Sequence, residues 1–466
     1  MEQKIQSIFK AQQAYKYTLR KNNAAQRIET LKTLRKTISK YEAEIYSALQ
    51  QDLRKSTFEA AVTELLFVYA ELDFAIENLR NWMRPFRVGK TLSSLFAKNR
   101  LYYEPKGGCL IIAPWNYPFQ LTMSPLISAI AAGNCALIKP SELSISTSKI
   151  VYQIISEAFE EREIACLLGD ANLSTELLKL PFDHIFFTGS TAIGKVVMEA
   201  ASKQLASVTL ELGGKSPTII DATANLAKAA EKIAWGKLVN SGQTCIAPDY
   251  VFVPEQQLDE FIKLYRAAAT KMYFKADGKI DPNVYGKIIN TKHYDRLKTW
   301  VDEAVADGAK MNWGGTFDEK SETIDPIILS EIPTGAKVME EEIFGPVLPL
   351  LTYNDLSEVI AQINEKSKPL ALYIFSNNKK NINHIIKSTS AGGTCVNDVL
   401  IHISNPKLPF GGVNGSGMGS SHGFFGFKNF SHERAVVFQR KLDFNAMIYP
   451  PYEGKNWVLK LLKKIM

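Results

Sequence analysis

Cysteine is scarce and unpatterned: five in 466 residues (Cys109, Cys135, Cys166, Cys245 and Cys395), an odd number with no CxxC spacing. That excludes a disulfide framework, speaks against a structural zinc or other metal site, and fits reduced thiols in a cytoplasm. Long apolar runs are missing too. No stretch reaches about 18 apolar residues, the length a spanning helix needs. The start, MEQKIQSIFKAQQAYKYTLRK, has no apolar core of signal-peptide length. Neither secretion nor a membrane span is expected. Repeats and low-complexity linkers are absent. The charge excess is local: of a net +7, the last twelve residues, KNWVLKLLKKIM, supply four lysines and no acid. The rest is near balance, which gives no nucleic-acid signature.

What remains is an ordinary globular composition, 46% hydrophobic and 22% charged, which excludes long disorder. At about 150 residues per domain, the length suggests roughly three domains or two large ones. Residues 24–54 and 57–83 read as two long amphipathic helices, with Ile28, Leu31, Leu34, Ile38 and Leu65, Val68, Leu72, Ile76 at helical spacing and Pro85 ending the second. From Gly107 the pattern changes to short apolar runs between helical windows: CLIIA (109–113), CALIK (135–139), IACLL (164–168), HIFFT (184–188) and SVTLEL (207–212). This predicts an α/β fold with a Rossmann-like, doubly wound parallel sheet, whose ligands bind beyond the carboxyl ends of the strands.

A second α/β region starts near Glu211, with a helix over 226–240 and runs YVFV (250–253), VLPLL (347–351) and LALYIF (370–375). The expected division is a dinucleotide-binding domain of 1–85 and 107–210 and a catalytic domain of 211–427. Extended bridging segments at 86–106 and 428–446 are placed to form an oligomerisation ribbon. A basic amphipathic tail covers 447–466. In it Val458, Leu461, Leu462 and Ile465 follow helical spacing opposite Lys460, Lys463 and Lys464. Such a helix suits either docking against the protein or weak contact with an acidic membrane surface.

Chemistry-bearing residues cluster at the strand ends. FFTGSTAIGK (186–195) puts Thr188, Gly189 and Ser190 directly after a strand and Gly194 early in a helix, a turn able to approach a pyrophosphate, with Thr191 where a fingerprint normally has its second glycine. In IKPSE (138–142), Lys139 and Glu142 suit a ribose, or a plain ion pair capped by Ser141 or Ser144. In NSGQTCIAPD (240–249), Cys245 lies among small and polar neighbours, unlike the other four cysteines in or beside apolar runs. It is the one placed like a nucleophile. In ELGGKSP (211–217), Glu211 ends an apolar strand, where burial would raise its pKa toward a useful base; an ion pair with Lys215 is the alternative.

MEEEIFGPVLP (339–349) suggests that Glu342 turns inward and Phe344 packs on something flat. APWNYPF (113–119) fixes Asn116 between prolines, either as a donor to an oxyanion or as a turn residue. LPFGGVNGSGMGSSHG (408–423) holds six glycines and should lie against a backbone or a ligand. His402 and His422 have no evident tie to Cys245 and read as structural.

Taken together and in order, PWNYPF, IKPSE, FFTGSTAIGK, ELGGKSP, GQTCIAPDY, EEIFGP and LPFGGVNGSGMG resemble the aldehyde dehydrogenase superfamily, closest in wording to its class 3 branch, over residues 24–452. The absence of Lys or Arg between Trp115 and Ile138 is also similar to class 3. The resemblance implies NAD or NADP as cofactor, a small-molecule aldehyde as substrate, and a homodimer. It makes Cys245 the nucleophile and Asn116 an oxyanion donor. Glu211 is the first choice of general base and Glu342 the second. Glu342 and Phe344 would position the nicotinamide ribose and ring, Lys139 and Glu142 the adenosine ribose, and Thr188, Gly189 and Ser190 the phosphates. Tyr117, Phe67 and Thr244 would line the substrate tunnel, although core packing also explains Phe67. The expected reaction is oxidation of an apolar aliphatic or aromatic aldehyde. A cysteine-dependent esterase acting without nucleotide is the rival reading. The tail is similar to the segment that precedes a membrane anchor in fatty aldehyde dehydrogenases.

Overall fold

In the strand Gly108–Ile112, Cys109 and Ile111 face one apolar cluster and Leu110 and Ile112 the other, as a period of two requires of a strand covered on both sides. The computed structural model describes residues 2–91, 94, 96–440 and 445–465. Its first sheet has six strands, in the order Gly417–Met418, Ser207–Glu211, His184–Thr188, Gly108–Ile112, Cys135–Lys139, Ile164–Cys166. All five expected runs are there and parallel. The sixth strand comes from the glycine-rich loop and pairs antiparallel, Gly417 opposite Glu211.

One face of this sheet is covered by helices that include Ala24–Lys40, Leu66–Trp82 and Gln120–Ala132. On the other face packs Glu2–Leu19, a helix not expected from the sequence. Its Ile5, Ile8 and Phe9 are buried, and Gln12 donates to the Ala136 and Glu161 carbonyls at 3.0 and 3.1 Å.

The second sheet has seven strands, in the order Lys310–Trp313, Ile327–Ser330, Val347–Tyr353, Tyr250–Pro254, Pro217–Ile220, Ala371–Phe375, Gly393–Val396. It is parallel apart from its first strand. A third, antiparallel sheet joins Phe86–Arg87, Lys98–Pro105 and Ser431–Phe438, and leaves Ser431–Phe438 at its edge. The two extended segments thus pair with each other. Positions 92, 93, 95 and 441–444 of them lie outside the described residues, and 428–429 instead end the helix Gly423–Asn429.

The window 24–54 is two helices, broken at Tyr41, which leaves the helical region with ψ at 17°. The window 57–83 continues through a π turn at Ala61–Leu65, where one extra residue is wound in. Among the described residues no helix is long and apolar enough to cross a membrane, and no group of three or more His, Cys, Asp or Glu is placed to hold a metal.

Candidate active site

Helix Leu226–Leu238 ends in a loop whose Asn240 and Ser241 have φ of 52° and 53°, followed by Gly242 at 79°. Only glycine fits the last position, because a Cβ would stand 2.3 Å from the Gly345 carbonyl oxygen. This tight chain delivers Cys245 to a cavity of about 270 Å3, whose lining includes Glu211 and Thr188 at two strand ends, and Tyr117, Phe67 and Thr244. As a residue Cys245 is partly exposed, while Cys109, Cys135, Cys166 and Cys395 are buried. Burial pushes the Cys245 thiol up, and the charges of Glu342 and Glu211 push it further; the backbone N–H groups of Cys245 and Ile246 act in the opposite sense.

Asn116 is buried on the neighbouring loop. Its Nδ2 donates to the Gln243 carbonyl at 3.0 Å, and its own carbonyl accepts from Asn240 Nδ2 at 2.8 Å. One amide hydrogen is thereby committed to the cysteine loop, and Asn116 lies behind Tyr117 and Thr244 rather than among the residues that line the cavity. Tyr117 and Thr244 join the same two loops, hydroxyl to hydroxyl, at 2.6 Å.

Glu211 is buried with neither carboxylate oxygen hydrogen-bonded, and burial lifts its pKa to about 7 against the smaller lowering effects of Ser421 and His422. Lys215 is not its partner: that ammonium pairs with Asp249 and donates to the Val338 and Glu341 carbonyls at 2.8 and 2.9 Å. Glu342 lies outside the cavity lining, against Gly213, where a Cβ would fall 2.0 Å from its carboxylate. Burial, then the charge of Asp249, raises its pKa to about 8. Phe344 takes a left-handed φ of 53° and meets Trp115 edge to face at 5.3 Å.

At the first sheet, Lys139 is buried and paired with the half-exposed Glu142. Neither serine caps the following helix. Asp52 does, accepting from the Ser146 and Thr147 amides at 3.0 and 2.7 Å. The Thr188 hydroxyl is buried without a partner, and Ser190 caps helix Thr191–Ser202, accepting from the Ile193 amide at 3.4 Å. A Cβ at Gly189 would strike the Phe187 ring at 2.5 Å, and one at Gly194 the Leu212 side chain at 2.7 Å, so both glycines serve close packing of turn and helix on the sheet. The glycine-rich loop lies against backbone: a Cβ at Gly417 would sit 2.1 Å from the Leu210 carbonyl oxygen. An orphaned hydroxyl and bare backbone at adjacent strand ends suit a dinucleotide.

The aldehyde dehydrogenase family model matches residues 2–436. The chain belongs to the aldehyde dehydrogenase family. It is 42% identical over 462 residues to 4,4'-diaponeurosporen-aldehyde dehydrogenase of Staphylococcus aureus, with 99% of each chain covered. It is 42% identical over 427 residues to aldehyde dehydrogenase family 3 member A2 of Mus musculus, covering 91% of this chain and 87% of that one. The substrate-bound state of Staphylococcus aureus AldH superposes with a TM-score of 0.94 at 41% identity, covering 98% of this chain and 99% of that one. The class 3 resemblance therefore holds, and this aldehyde dehydrogenase is an NAD(P)-dependent oxidoreductase.

Several residues of its cavity have no signal in the sequence. Trp235, Leu400, Ile401 and Phe410 line it alongside Cys245, and so does His422, which reads as structural from sequence. His422 is held by Glu71, 3.2 Å from its Nδ1, through a contact between distant parts of the chain. His402, by contrast, pairs with Cys395 Sγ at 3.2 Å.

Proposed function

We propose that the enzyme oxidises apolar aldehydes, of medium or long aliphatic chain or aromatic, to carboxylic acids through covalent capture on Cys245. The observation that carries this reading is the hydrocarbon wall, Phe67, Tyr117, Trp235, Leu400, Ile401 and Phe410, around the cavity that Cys245 and the unpartnered Glu211 also line. Each methylene buried in such a wall contributes about 0.8 kcal/mol. The Staphylococcus aureus relative, named for 4,4'-diaponeurosporen-aldehyde, supports the same substrate class.

The Cys245 thiol gives its proton to water, and its sulfur bonds to the carbonyl carbon, moving the π electrons onto oxygen. The free Asn116 amide hydrogen and the Cys245 backbone N–H receive that oxygen. The bound nucleotide supplies the two-electron acceptor that turns the captured aldehyde to the acid level. Glu211 then takes a proton from water, the hydroxyl adds to the thioester carbon, and the carbon–sulfur bond breaks to return the thiolate. Glu342 is the second candidate for this step, since its pKa of about 8 leaves it largely protonated at neutral pH. Lys139 and Glu142 would hold the adenosine ribose. Thr188, Gly189, Ser190 and Gly194 would form the phosphate turn, and Glu342 with Phe344 would seat the nicotinamide end. Tyr117, Phe67 and Thr244 would guide the substrate.

Residues 1–85 and 107–210 are assigned to nucleotide binding and 211–427 to catalysis. The exposed strand edge at Ser431–Phe438 would join two copies. Five unpaired cysteines fit the cytoplasm. In the tail helix Asn456–Ile465, Val458 is buried and Trp457, Leu459 and Leu461 are exposed. Those exposed side chains beside Lys460, Lys463 and Lys464 suit light contact with an acidic membrane surface.

The test follows absorbance at 340 nm with hexanal, decanal and benzaldehyde, each with NAD and with NADP, for wild type and Cys245→Ser. Nucleotide-dependent turnover that is lost in the variant and favours decanal over hexanal supports the reading. Ester hydrolysis without any nucleotide-dependent signal would replace it with a thiol hydrolase.

A further inference from the structure

Lys55 and Glu64 form an ion pair, Nζ to Oε1 at 2.6 Å, in which both side chains are wholly buried. Removing two charges from water is costly, and an apolar pair of similar volume often serves stability as well or better. The hydrogen-bond partners of the pair point to another use, because all of them lie in one stretch of chain. Lys55 Nζ donates to the Asn116 carbonyl at 3.1 Å and stands 3.8 Å from the centre of the Tyr117 ring. Glu64 Oε2 accepts from the Phe119 and Gln120 amides at 2.9 and 3.0 Å. Helix Gln120–Ala132 has no cap of its own, so Glu64 serves as one from a distant helix. Glu64 lies in the π turn Ala61–Leu65, where the wider winding changes the direction in which a side chain leaves the helix.

On the other side of the same loop, the Asn116 carbonyl accepts from Asn240 and the Asn116 side-chain amide donates to the Gln243 carbonyl, which ties the loop to the cysteine loop. The peptide carbonyl of Asn116 is thus held between a buried ammonium and the cysteine loop. The direction of its side-chain amide follows.

We propose that Lys55 and Glu64 are positioning residues for the oxidation: their buried ion pair fixes residues 116–120 so that the second amide hydrogen of Asn116 points at the substrate oxygen. This rests on the reading of Asn116 as an oxyanion donor. A donor displaced by a fraction of an ångström loses most where charge develops, so the effect falls on kcat more than on KM.

The experiment uses the full chain, with hexanal and NAD. Lys55→Met and the charge-free pair Lys55→Met/Glu64→Gln are compared with Asn116→Ala and Asn116→Ala/Lys55→Met. Alkylation of Cys245 by iodoacetamide reports separately on the thiol. Lys55→Met/Glu64→Gln should lower kcat about tenfold or more, with KM within about threefold and alkylation within about twofold of wild type. Lys55→Met should add nothing once Asn116 is alanine, because residues that act through one group are not additive.

The proposal is overturned if the charge-free pair keeps kcat within about twofold of wild type, if the Lys55 and Asn116 effects multiply, or if alkylation falls in step with turnover, which marks general collapse of the site. If Lys55→Met leaves Glu64 unpaired and fails to fold, the charge-free pair carries the same test. Should that pair fail to fold as well, the ion pair holds the fold and not the loop, and the proposal also falls. An Asn116→Ala variant with wild-type kcat would instead remove the underlying reading of Asn116, and is distinguished by that single measurement.

Discussion

Lys215 gives its ammonium to Asp249, although Glu211 is the nearer carboxylate in sequence. Glu211 is left buried and unpartnered, with a pKa raised to about 7 by burial. A base must be deprotonated to act, so thioester hydrolysis should rise with pH through about 7 and level off above it. In Glu211→Gln that step should fall by about a hundredfold while the first turnover survives. A rapid burst of absorbance at 340 nm followed by a slow steady state is the expected trace. A Glu211→Gln variant with an undiminished steady state and the same pH profile would move the role to Glu342.

The same shift bears on stability. The folded-state pKa is raised, so the folded protein binds more protons than the unfolded chain between the ordinary carboxylate range and about 7, and stability falls as pH rises through that window. Glu211→Gln removes the penalty. Its melting temperature should exceed that of wild type above pH 7, and the difference should vanish at acid pH below the unfolded carboxylate's titration. An unchanged difference across that range would contradict the burial effect.

Alkylation of Cys245 offers a check on the charges around the sulfur. Burial raises its pKa first, then Glu342, then Glu211. Iodoacetamide should therefore react slowly at neutral pH and faster as pH rises, and above about pH 8, where Glu342 is ionised, Glu342→Gln should speed the reaction severalfold. Equal rates in both proteins would show that Glu342 carries no charge near the thiol.

Nucleotide choice is tested at Glu142. In the free enzyme its carboxylate pairs with Lys139, and a 2′-phosphate would have to displace it. Glu142→Ala should raise kcat/KM for NADP relative to NAD by about tenfold, the worth of freeing one buried ammonium for a phosphate. A ratio that does not move would show that Lys139 does not face the ribose.

The strand Ser431–Phe438 ends its sheet with Val437 and Phe438 exposed, an open edge that natural proteins normally blunt or cover. Light scattering should give a dimer for wild type, and Val437→Lys should shift the balance toward monomer. Removing residues 455–466 should alter the chain-length profile or abolish liposome binding. If both are unchanged, the tail has neither role.

The sheet strands could be read from sequence because parallel strands buried on both faces are short unbroken apolar runs, as in CLIIA and HIFFT. Cys245, Glu211 and Thr188 could be placed because strand ends and glycine turns mark where ligands gather. The rest lay in contacts between distant segments. Lys55 falls between the two expected helical windows, and Glu64 looks like an exposed charge of the second until the π turn directs it onto the Phe119 and Gln120 amides. His422 looks unattached until Glu71 meets it across the fold. The break at Tyr41 interrupts an apolar pattern that would support one helix, and nothing in that pattern marks it. Helix Glu2–Leu19 could not be assigned because its anchor is the pair of Gln12 contacts to carbonyls of the first sheet region.

The pairing of Gly417 with Glu211 also sets an order of assembly. A ribosome releases the cysteine long before it releases the strand that flanks the glutamate, so contacts this far apart form late. A polypeptide made as far as Cys245 but short of Gly417 carries the thiol without the strand that flanks Glu211.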